Sequence, residues 1–488
     1  MMQIKARETS QQHTPVGSLL QIGKSDFPVD TSALGRPGVS LLASALMGAL
    51  TAVVWLWPSI PFAARVVLWV YGLAVIAWAV TSVNAGVIGL AAVVALLAFG
   101  VVPQDWVTDI LLSKVVWLIL GAYLLGEALT RTGLAYRLMA GLAAAMRTPR
   151  GLAWRLTGAL LTLAFLVPST TGRAAMLLPL VRSLPHREGN GLRRCLGLLI
   201  PCIVLVSTPV TLTGAAAHLL ANEMLSSTGQ TPLSFSRWLL LAGPFGVAVS
   251  ILTAWLIIRR HLPQADEPLP VTELPAVPWS RAEWTTLGVL GGMLLLWLTT
   301  GLHSLSFTAV MLLGVIVLMA PVIGVLDWKE ATKAIPWDLL IFAGSAVWLG
   351  KALVESGASG WLVGQVVGVS GLAPASSPLV VLILLGVVAV SAHLYLMSHT
   401  ARVAALVPPL LALAGEFGWN PTAVVLVTVI GIDYCLTLPI CSKAILMYEL
   451  DRGQAADLFR LSLILMPTYL LLLIACYFVW WVPLGLSF

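Results

Sequence analysis

The chain has 488 residues, of which 59% are hydrophobic and only 10% are charged, and its mean hydropathy is +0.96. This composition cannot cover so long a chain with polar side chains, so a water-soluble globular fold is excluded. The net charge of +6 comes from basic residues clustered in a few loops, which argues against a nucleic-acid partner and predicts that these loops lie in the cytoplasm.

The chain begins with a polar segment, residues 1–36, which we predict to be a cytoplasmic tail without a removable signal peptide. Apolar runs near the roughly 20 residues of a spanning helix then recur to the end. Examples are Val39 to Trp57, Val66 to Val83, Trp238 to Ile258, Phe307 to Val325 and Leu461 to Val482. We predict an all-α integral membrane protein of the inner membrane, with about eleven transmembrane helices and two re-entrant hairpins.

The first predicted hairpin covers residues 156–180. Arginines flank both of its ends, so both ends are predicted to be cytoplasmic, and the run PSTTG breaks its apolar sequence at Pro168. The next span is interrupted as well, in the stretch VSTPVTLTGAAAH from Val206 to His218. Non-helical backbone at membrane depth is tolerated only where protein or a water-filled cavity satisfies it, so these breaks predict an internal cavity.

The second predicted hairpin covers residues 379–413 and is broken around SHT, Ser398 to Thr400. Its immediate flanks, residues 357–378 and 414–420, contain no Lys or Arg, so it is predicted to enter from the outside. The span that follows is interrupted in CLTLPICSKAIL, Cys435 to Leu446. The order of elements in the first half therefore recurs in the second half.

The two halves also share sequence. GEALTRTG at Gly126 corresponds to GKALVESG at Gly350, an offset of 224, and STTGRAAMLLP at Ser169 corresponds to SHTARVAALVP at Ser398, an offset of 229. Because one half carries basic loops where the other has none, we predict inverted repeats over residues 37–258 and 284–488, joined by a cytoplasmic linker, 259–283. Inverted repeats with broken helices that meet at the midplane are typical of secondary transporters.

In this layout, and in segments such as WLILGAYLLGEALTRTGLA and IPWDLLIFAGSAVWLGKALVESG, the chain resembles the divalent-anion:sodium symporters. The resemblance covers most of the chain and implies a transporter of dicarboxylates, citrate or sulfate that forms a homodimer. It implies an anion site at the two hairpin tips and the two interrupted spans. The candidate residues are Ser169, Thr170, Thr171, Arg173, Thr211, Thr213, Ser398, His399, Thr400, Arg402, Ser442 and Lys443.

The tips differ from the Ser-Asn-Thr motif of that family. The asparagine is replaced by Thr170 and His399, and Arg173 and Arg402 stand two residues beyond the tips. An arginine at membrane depth costs roughly 2.5–3.5 kcal/mol, so it is rarely incidental, and its planar fork suits a carboxylate or sulfate. The alternative interpretation is structural, with each arginine buried against backbone carbonyls at a helix end.

Fixed cations a few ångströms from a sodium site would repel the ion. We therefore predict no bound metal and no cofactor, with transport by exchange or proton coupling and with His399 and Asp433 as coupling residues; a sodium-coupled sulfate, sulfonate or dicarboxylate symporter is the alternative. Lys443 is interpreted either as a site residue or as the partner of Asp433 in a buried ion pair. Structural roles are predicted for the remaining polar residues of interest, Glu127, His218, Lys351 and His393.

The sequence does not favour two other classes of protein, membrane enzymes and anion channels. The chain has no HExxH pair, intramembrane aspartate pair or GxSxG motif, so a membrane enzyme is not predicted. An anion channel would need a continuous lined pore, whereas two facing hairpin tips suit an occluded site and alternating access. The five cysteines show no paired spacing, which predicts neither a disulfide framework nor a zinc site.

Overall fold

The computed structural model describes residues 37–57, 59–134, 137, 148–167, 170, 172–174, 176–177, 191–262, 278–370, 377–437 and 452–488. All regular secondary structure in these ranges is helical. Seven helical stretches among them are long and apolar enough to cross a bilayer, and five further apolar helices are shorter. The prediction of an all-α membrane protein is confirmed, while the count of about eleven spans and the hairpins remain predictions.

The helices of the first half follow the predicted apolar runs. They are α1 Pro37–Leu56, α2 Phe62–Val80, α3 Ala85–Ala98, α4 Trp106–Leu112, α5 Lys114–Thr132, α6 Pro149–Leu166, α7 Gly191–Val206, α8 Ala216–Ser227 and α9 Phe235–His261. Gly133 ends α5 in the left-handed region with φ of 71°, a conformation that glycine adopts without steric cost. The predicted tail, residues 1–36, lies outside the described residues.

The second half is helical as well, and its repetition of the first half remains a prediction. Its helices are α10 Arg281–Leu298, α11 Phe307–Met319, α12 Trp337–Glu355, α13 Ala358–Ser370, α14 Pro378–Ser391, α15 His399–Phe417, α16 Pro421–Asp433 and α17 Arg452–Cys476. In the first half α5 is followed by α6, which ends at Leu166, and by α7, which ends at Val206. In the second half α12 is followed by α14, which ends at Ser391, and by α16, which ends at Asp433. The boundaries of the two predicted repeats and their relative orientation remain predictions.

The broken elements of the two halves pack against each other in the centre of the molecule. In the first half α7 lies between α6 and α9, and in the second half α16 lies between α14 and α15. Helix α8, the continuation of the first interrupted span, packs against both α15 and α16. The first half therefore contacts the second half directly, through α8 on one side and α15 and α16 on the other.

Two tryptophans late in the sequence donate hydrogen bonds to backbone carbonyls of α9. Pro244 lies inside this helix and has no N–H, so the carbonyl of Leu240 loses its usual donor. The indole Nε1 of Trp480 donates to that carbonyl at 2.8 Å, and the indole of Trp481 donates to Leu241 O at 2.8 Å. The last residues of the chain thus satisfy polar backbone in a helix of the first half.

Two charged residues at matching positions in the repeats, Glu127 and Lys351, make local contacts. Glu127 accepts a hydrogen bond from Arg131 at 2.6 Å, one turn further along α5. The ammonium of Lys351 lies 4.5 Å from the ring centroid of Trp348 and 3.5 Å from a carboxylate oxygen of Glu355. These contacts lie within single helices and agree with the structural roles expected for both residues.

Candidate anion site

The first interrupted span is unwound between α7 and α8. Residues 208–210 and 212–214 form two single 3₁₀ turns, and Thr211 between them is extended, with φ −131° and ψ 151°. Pro209 lacks the N–H that would continue the α-helical pattern. The predicted break is therefore present, and every residue in it is buried.

Side chains from three directions satisfy the unwound backbone. The indole Nε1 of Trp238 on α9 donates to Pro209 O at 3.0 Å, and Arg173 Nη2 donates to Gly214 O at 3.1 Å. The ring Nδ1 of His218 lies 3.1 Å from Thr211 O. Non-helical backbone can persist at membrane depth only with such partners, so these three side chains hold the break in place.

Gly214 permits a close approach of backbone to backbone within this break. A Cβ atom at position 214 would lie 2.2 Å from the carbonyl oxygen of Thr208 and 3.1 Å from its carbon. Both atoms belong to the backbone, so neither can move aside as a flexible side chain would. The fold of the unwound segment therefore requires glycine here.

Arg173 is fully buried and contacts the unwound span between α7 and α8. Besides Gly214 O, its guanidinium donates from Nη1 to the hydroxyl of Ser207 at 3.1 Å. Its Nε has no hydrogen-bond partner in the described part of the chain. Arg173 thus binds the unwound span of its own half and retains one buried donor.

Arg402 occupies the equivalent position in the second half and is also fully buried. Its Nη1 donates to Ile432 O and, at 3.2 Å, to Tyr434 O, while Nη2 lies 3.4 Å from the sulfur of Cys435. Its Nε likewise lacks a partner among the described residues. The two arginines therefore share burial, attachment to an interrupted span and one unused donor.

The second tip begins helix α15. Ser398 is its N-cap and accepts a hydrogen bond from Ala401 N at 3.4 Å. Ser398 is exposed, whereas His399 and Thr400 are half-buried, and the hydroxyls of Ser398 and Thr400 lie 2.9 Å apart. The amino end of a helix favours an anion, and the hydroxyls at this tip add donors.

Asp433 ends α16 and is completely buried. Its Oδ2 lies 2.8 Å from His218 Nε2 and its Oδ1 lies 3.8 Å from His399 Nδ1. Oδ1 has no hydrogen-bond partner in the described residues. The possible ion pair between Asp433 and Lys443 stays a prediction, because Lys443 lies outside the described residues.

The other candidate residues are placed in part. Thr211 donates from its hydroxyl to Ala164 O on α6 at 2.8 Å, and Thr213 lines a narrow cavity of about 20 Å³, room for about one water molecule. Thr170 is half-buried. Four predicted site residues lie outside the described residues: Ser169, Thr171, Ser442 and Lys443.

Sequence reasoning missed the role of two residues at this site. His218 was expected to be structural, but it contacts a carboxylate of the other half, 215 positions away. Trp238 stacks on the His218 ring, with centroids 4.9 Å apart, and caps the first break. No spacing or motif links either residue to Asp433, so only the packing of α8 on α16 reveals them.

Broken helices around buried arginines within an all-helical membrane fold define the class as membrane transporters. The model of the sodium:sulfate symporter transmembrane region matches residues 39–487, and the chain belongs to this family. The fold is similar to that of the YdaH transporter of Alcanivorax borkumensis, with a TM-score of 0.51 and 16% identity over 87% of this chain and 99% of that one.

Several curated proteins are similar in sequence. A membrane protein of Cupriavidus necator is 31% identical over 60% of this chain and 60% of its own length. The citrate/succinate antiporter of Escherichia coli K12 is 28% identical over 74% of this chain and 77% of its own length. A sodium-dependent dicarboxylate transporter of Staphylococcus saprophyticus is 22% identical over 67% of this chain and 69% of its own length.

Proposed function

We propose that this protein is a secondary active transporter of small divalent anions of the dicarboxylate type, working by alternating access without sodium. The observation that carries the proposal is the pair Arg173 and Arg402, each buried at a helix break with an Nε that has no hydrogen-bond partner among the described residues. Guanidinium groups form charge-assisted, often bidentate hydrogen bonds with carboxylates. The similarity to the citrate/succinate antiporter supports a dicarboxylate as substrate.

The absence of a sodium requirement follows from the same charges. Two unit charges of like sign about 4 Å apart repel by roughly 4 kcal/mol at an effective dielectric constant of about 20. A sodium ion bound at either tip would meet such repulsion from Arg173 or Arg402, whereas a dianion would be attracted. Exchange ranks ahead of proton coupling, since it needs only a barrier to reorienting the empty, positively charged site.

Uptake of labelled succinate into proteoliposomes tests the proposal. We expect uptake to continue when choline replaces sodium and to rise when unlabelled succinate or citrate is loaded inside. Sulfate and a sulfonate, offered in the same assay, define the range of anions. A strict sodium requirement would instead support the second candidate, a sodium-coupled symporter, which the similarity to the sodium-dependent dicarboxylate transporter favours.

The proposed orientation has the N-terminus in the cytoplasm, the first hairpin open to the cytoplasm and the second to the outside. His186→Cys and Ser376→Cys, each on a cysteine-free background, test it in inner-membrane vesicles of both orientations. An impermeant thiol reagent is expected to label position 186 only from the cytoplasmic side and position 376 only from the outside. The opposite pattern of labelling would overturn the orientation.

We extend the proposal to a homodimer on the basis of family resemblance. Multi-angle light scattering of the purified, detergent-solubilised protein is expected to give twice the 51.8 kDa mass of one chain. A protein mass of one chain in several detergents would remove this part of the proposal.

A further inference from the structure

The two ring nitrogens of His218 each face an oxygen atom. Nδ1 lies 3.1 Å from the carbonyl oxygen of Thr211, and Nε2 lies 2.8 Å from Oδ2 of Asp433. Both side chains of the pair are completely buried. The pair joins α8 of the first half to the end of α16 in the second half.

Counting protons decides the state of this pair. A carbonyl oxygen only accepts, so Nδ1 of His218 must carry a hydrogen. A neutral imidazole has a single N–H, which would leave the Nε2 lone pair facing an ionised carboxylate at hydrogen-bond distance. The two ring contacts can therefore both be hydrogen bonds only with one more proton, either on His218 Nε2 or on Asp433 Oδ2.

We infer that His218 and Asp433 together form a buried proton-binding site between the two halves, and that the proton and the divalent anion bind cooperatively. The inference rests on the proposed function and adds His218 to its coupling residues. With the proton the pair has no net charge, and without it the pair carries one negative charge. Proton uptake therefore raises the net positive charge of the region by one.

The surrounding charges give this change its direction. Among the described residues, the ionisable groups near the pair are Arg173, His399 and Arg402, which donates to the neighbouring Ile432 O, together with Tyr469 on α17, whose hydroxyl donates to Ile430 O. Farther along α8, Glu223 faces Lys114 of α5. Counting these groups alone, with the proton bound and His399 neutral, the two arginines leave a net charge of +2, which matches a dianion. Without the proton the net charge falls to +1.

Helix geometry disfavours the unprotonated pair as well. Asp433 stands at the carboxyl end of α16, where the helix dipole repels a negative charge. Removal of the proton also leaves His218 with a single N–H for two acceptors, so the ring loses its hydrogen bond either to Thr211 O or to Asp433. Because the two residues belong to different halves, the proton is linked to how closely the halves approach.

His399 gives this proton a route to water. Its side chain is 16% exposed, and its Nδ1 lies 3.8 Å from Asp433 Oδ1, the oxygen without a partner among the described residues. A proton taken up from water by His399 can pass to Asp433, directly after a small approach or through one water. One N–H bond breaks and one O–H bond forms, and a rotation of the carboxyl then turns the new O–H towards His218 Nε2.

His393 provides a matched buried histidine that needs no additional proton for its two ring contacts. Its Nδ1 lies 2.5 Å from Val390 O and its Nε2 lies 2.7 Å from the hydroxyl oxygen of Thr437. The hydroxyl can donate to Nε2, so a neutral ring with hydrogen on Nδ1 satisfies both contacts. A variant of His393 therefore controls for the loss of a buried histidine that shares no additional proton.

Succinate binding by the purified wild-type protein, measured calorimetrically from about pH 6 to about pH 9, tests the inference. We expect affinity to fall with rising pH by up to about tenfold per pH unit once the pair titrates, with proton uptake on binding. Asp433→Asn supplies an N–H to neutral His218 and imitates the protonated pair. It should flatten the profile and abolish proton uptake, whereas His393→Gln should keep the wild-type profile. An unchanged profile in Asp433→Asn would overturn the inference.

A measurement on the wild-type protein covers the case in which the variant does not fold. At about pH 7.5, where exposed histidine is mostly neutral, nitrogen-15 spectra should show one ring with both nitrogens protonated, or infrared spectra should show a protonated carboxyl. Neutral rings together with fully ionised carboxyls would overturn the inference. Because these spectra need no substrate, failure to bind succinate would count against the proposed function alone.

Discussion

Arg173→Gln and Arg402→Gln are each expected to abolish anion transport. Glutamine removes a permanent charge and the charge-assisted hydrogen bonds that the guanidinium can give to a dianion, each worth about 1.5–3 kcal/mol. Affinity for succinate should therefore fall by at least about tenfold for each lost bond. Proteoliposome uptake and succinate-induced thermal stabilisation measure the two effects separately.

Control variants separate substrate binding from support of the backbone. Arg237→Gln changes an exposed arginine at the start of α9 and should leave uptake unchanged. Arg173→Lys and Arg402→Lys keep the charge but lose the planar fork, so they should restore only part of the activity. If both glutamine variants transport with wild-type affinity, the arginines serve only the carbonyls of the unwound spans and the anion binds elsewhere.

Gly214→Ala is expected to destabilise the protein strongly and to stop transport. The new Cβ would lie 2.2 Å from Thr208 O, so the unwound segment must shift and the hydrogen bond from Arg173 to residue 214 must change with it. Overpacking in a buried site costs about 1–3 kcal/mol, and a clash with the backbone of Thr208 lies at the upper end of that range.

Gly158→Ala is the matched control for this substitution. Gly158 lies within α6, and nothing approaches the position of its Cβ within 4 Å. Alanine there improves helix propensity by about 1 kcal/mol, so thermal unfolding in detergent should be unchanged or slightly delayed. If Gly214→Ala unfolds and transports like Gly158→Ala, the close approach at Thr208 is not essential.

Sequence alone predicted the long apolar helices and the break in the first interrupted span, because both follow from local composition. Apolar runs of spanning length give α2 and α9, and Pro209 with its polar neighbours gives the first break. The arginines were singled out because a cation at membrane depth is costly wherever it lies. These signals need no knowledge of which helices touch.

The partners of the site residues could not be predicted in the same way. Backbone carbonyls are identical in every residue, so no letter of the sequence marks Gly214 O or Tyr434 O as an acceptor for arginine. The contact between His218 and Asp433 joins positions 215 residues apart. It depends on the packing of α8 against α16, which composition and spacing do not determine.

The hydrogen bond that Trp480 donates to α9 can form only late in biogenesis. The carbonyl of Leu240 receives its hydrogen bond from Trp480, a residue synthesised 240 positions later. At roughly 5–20 residues per second, the ribosome works for many seconds after Leu240 is made before this donor exists. The first half therefore enters the bilayer with an open acceptor that is closed only after Trp480 has been made, so nascent chains that stop before this residue are expected to be recognised by membrane quality control.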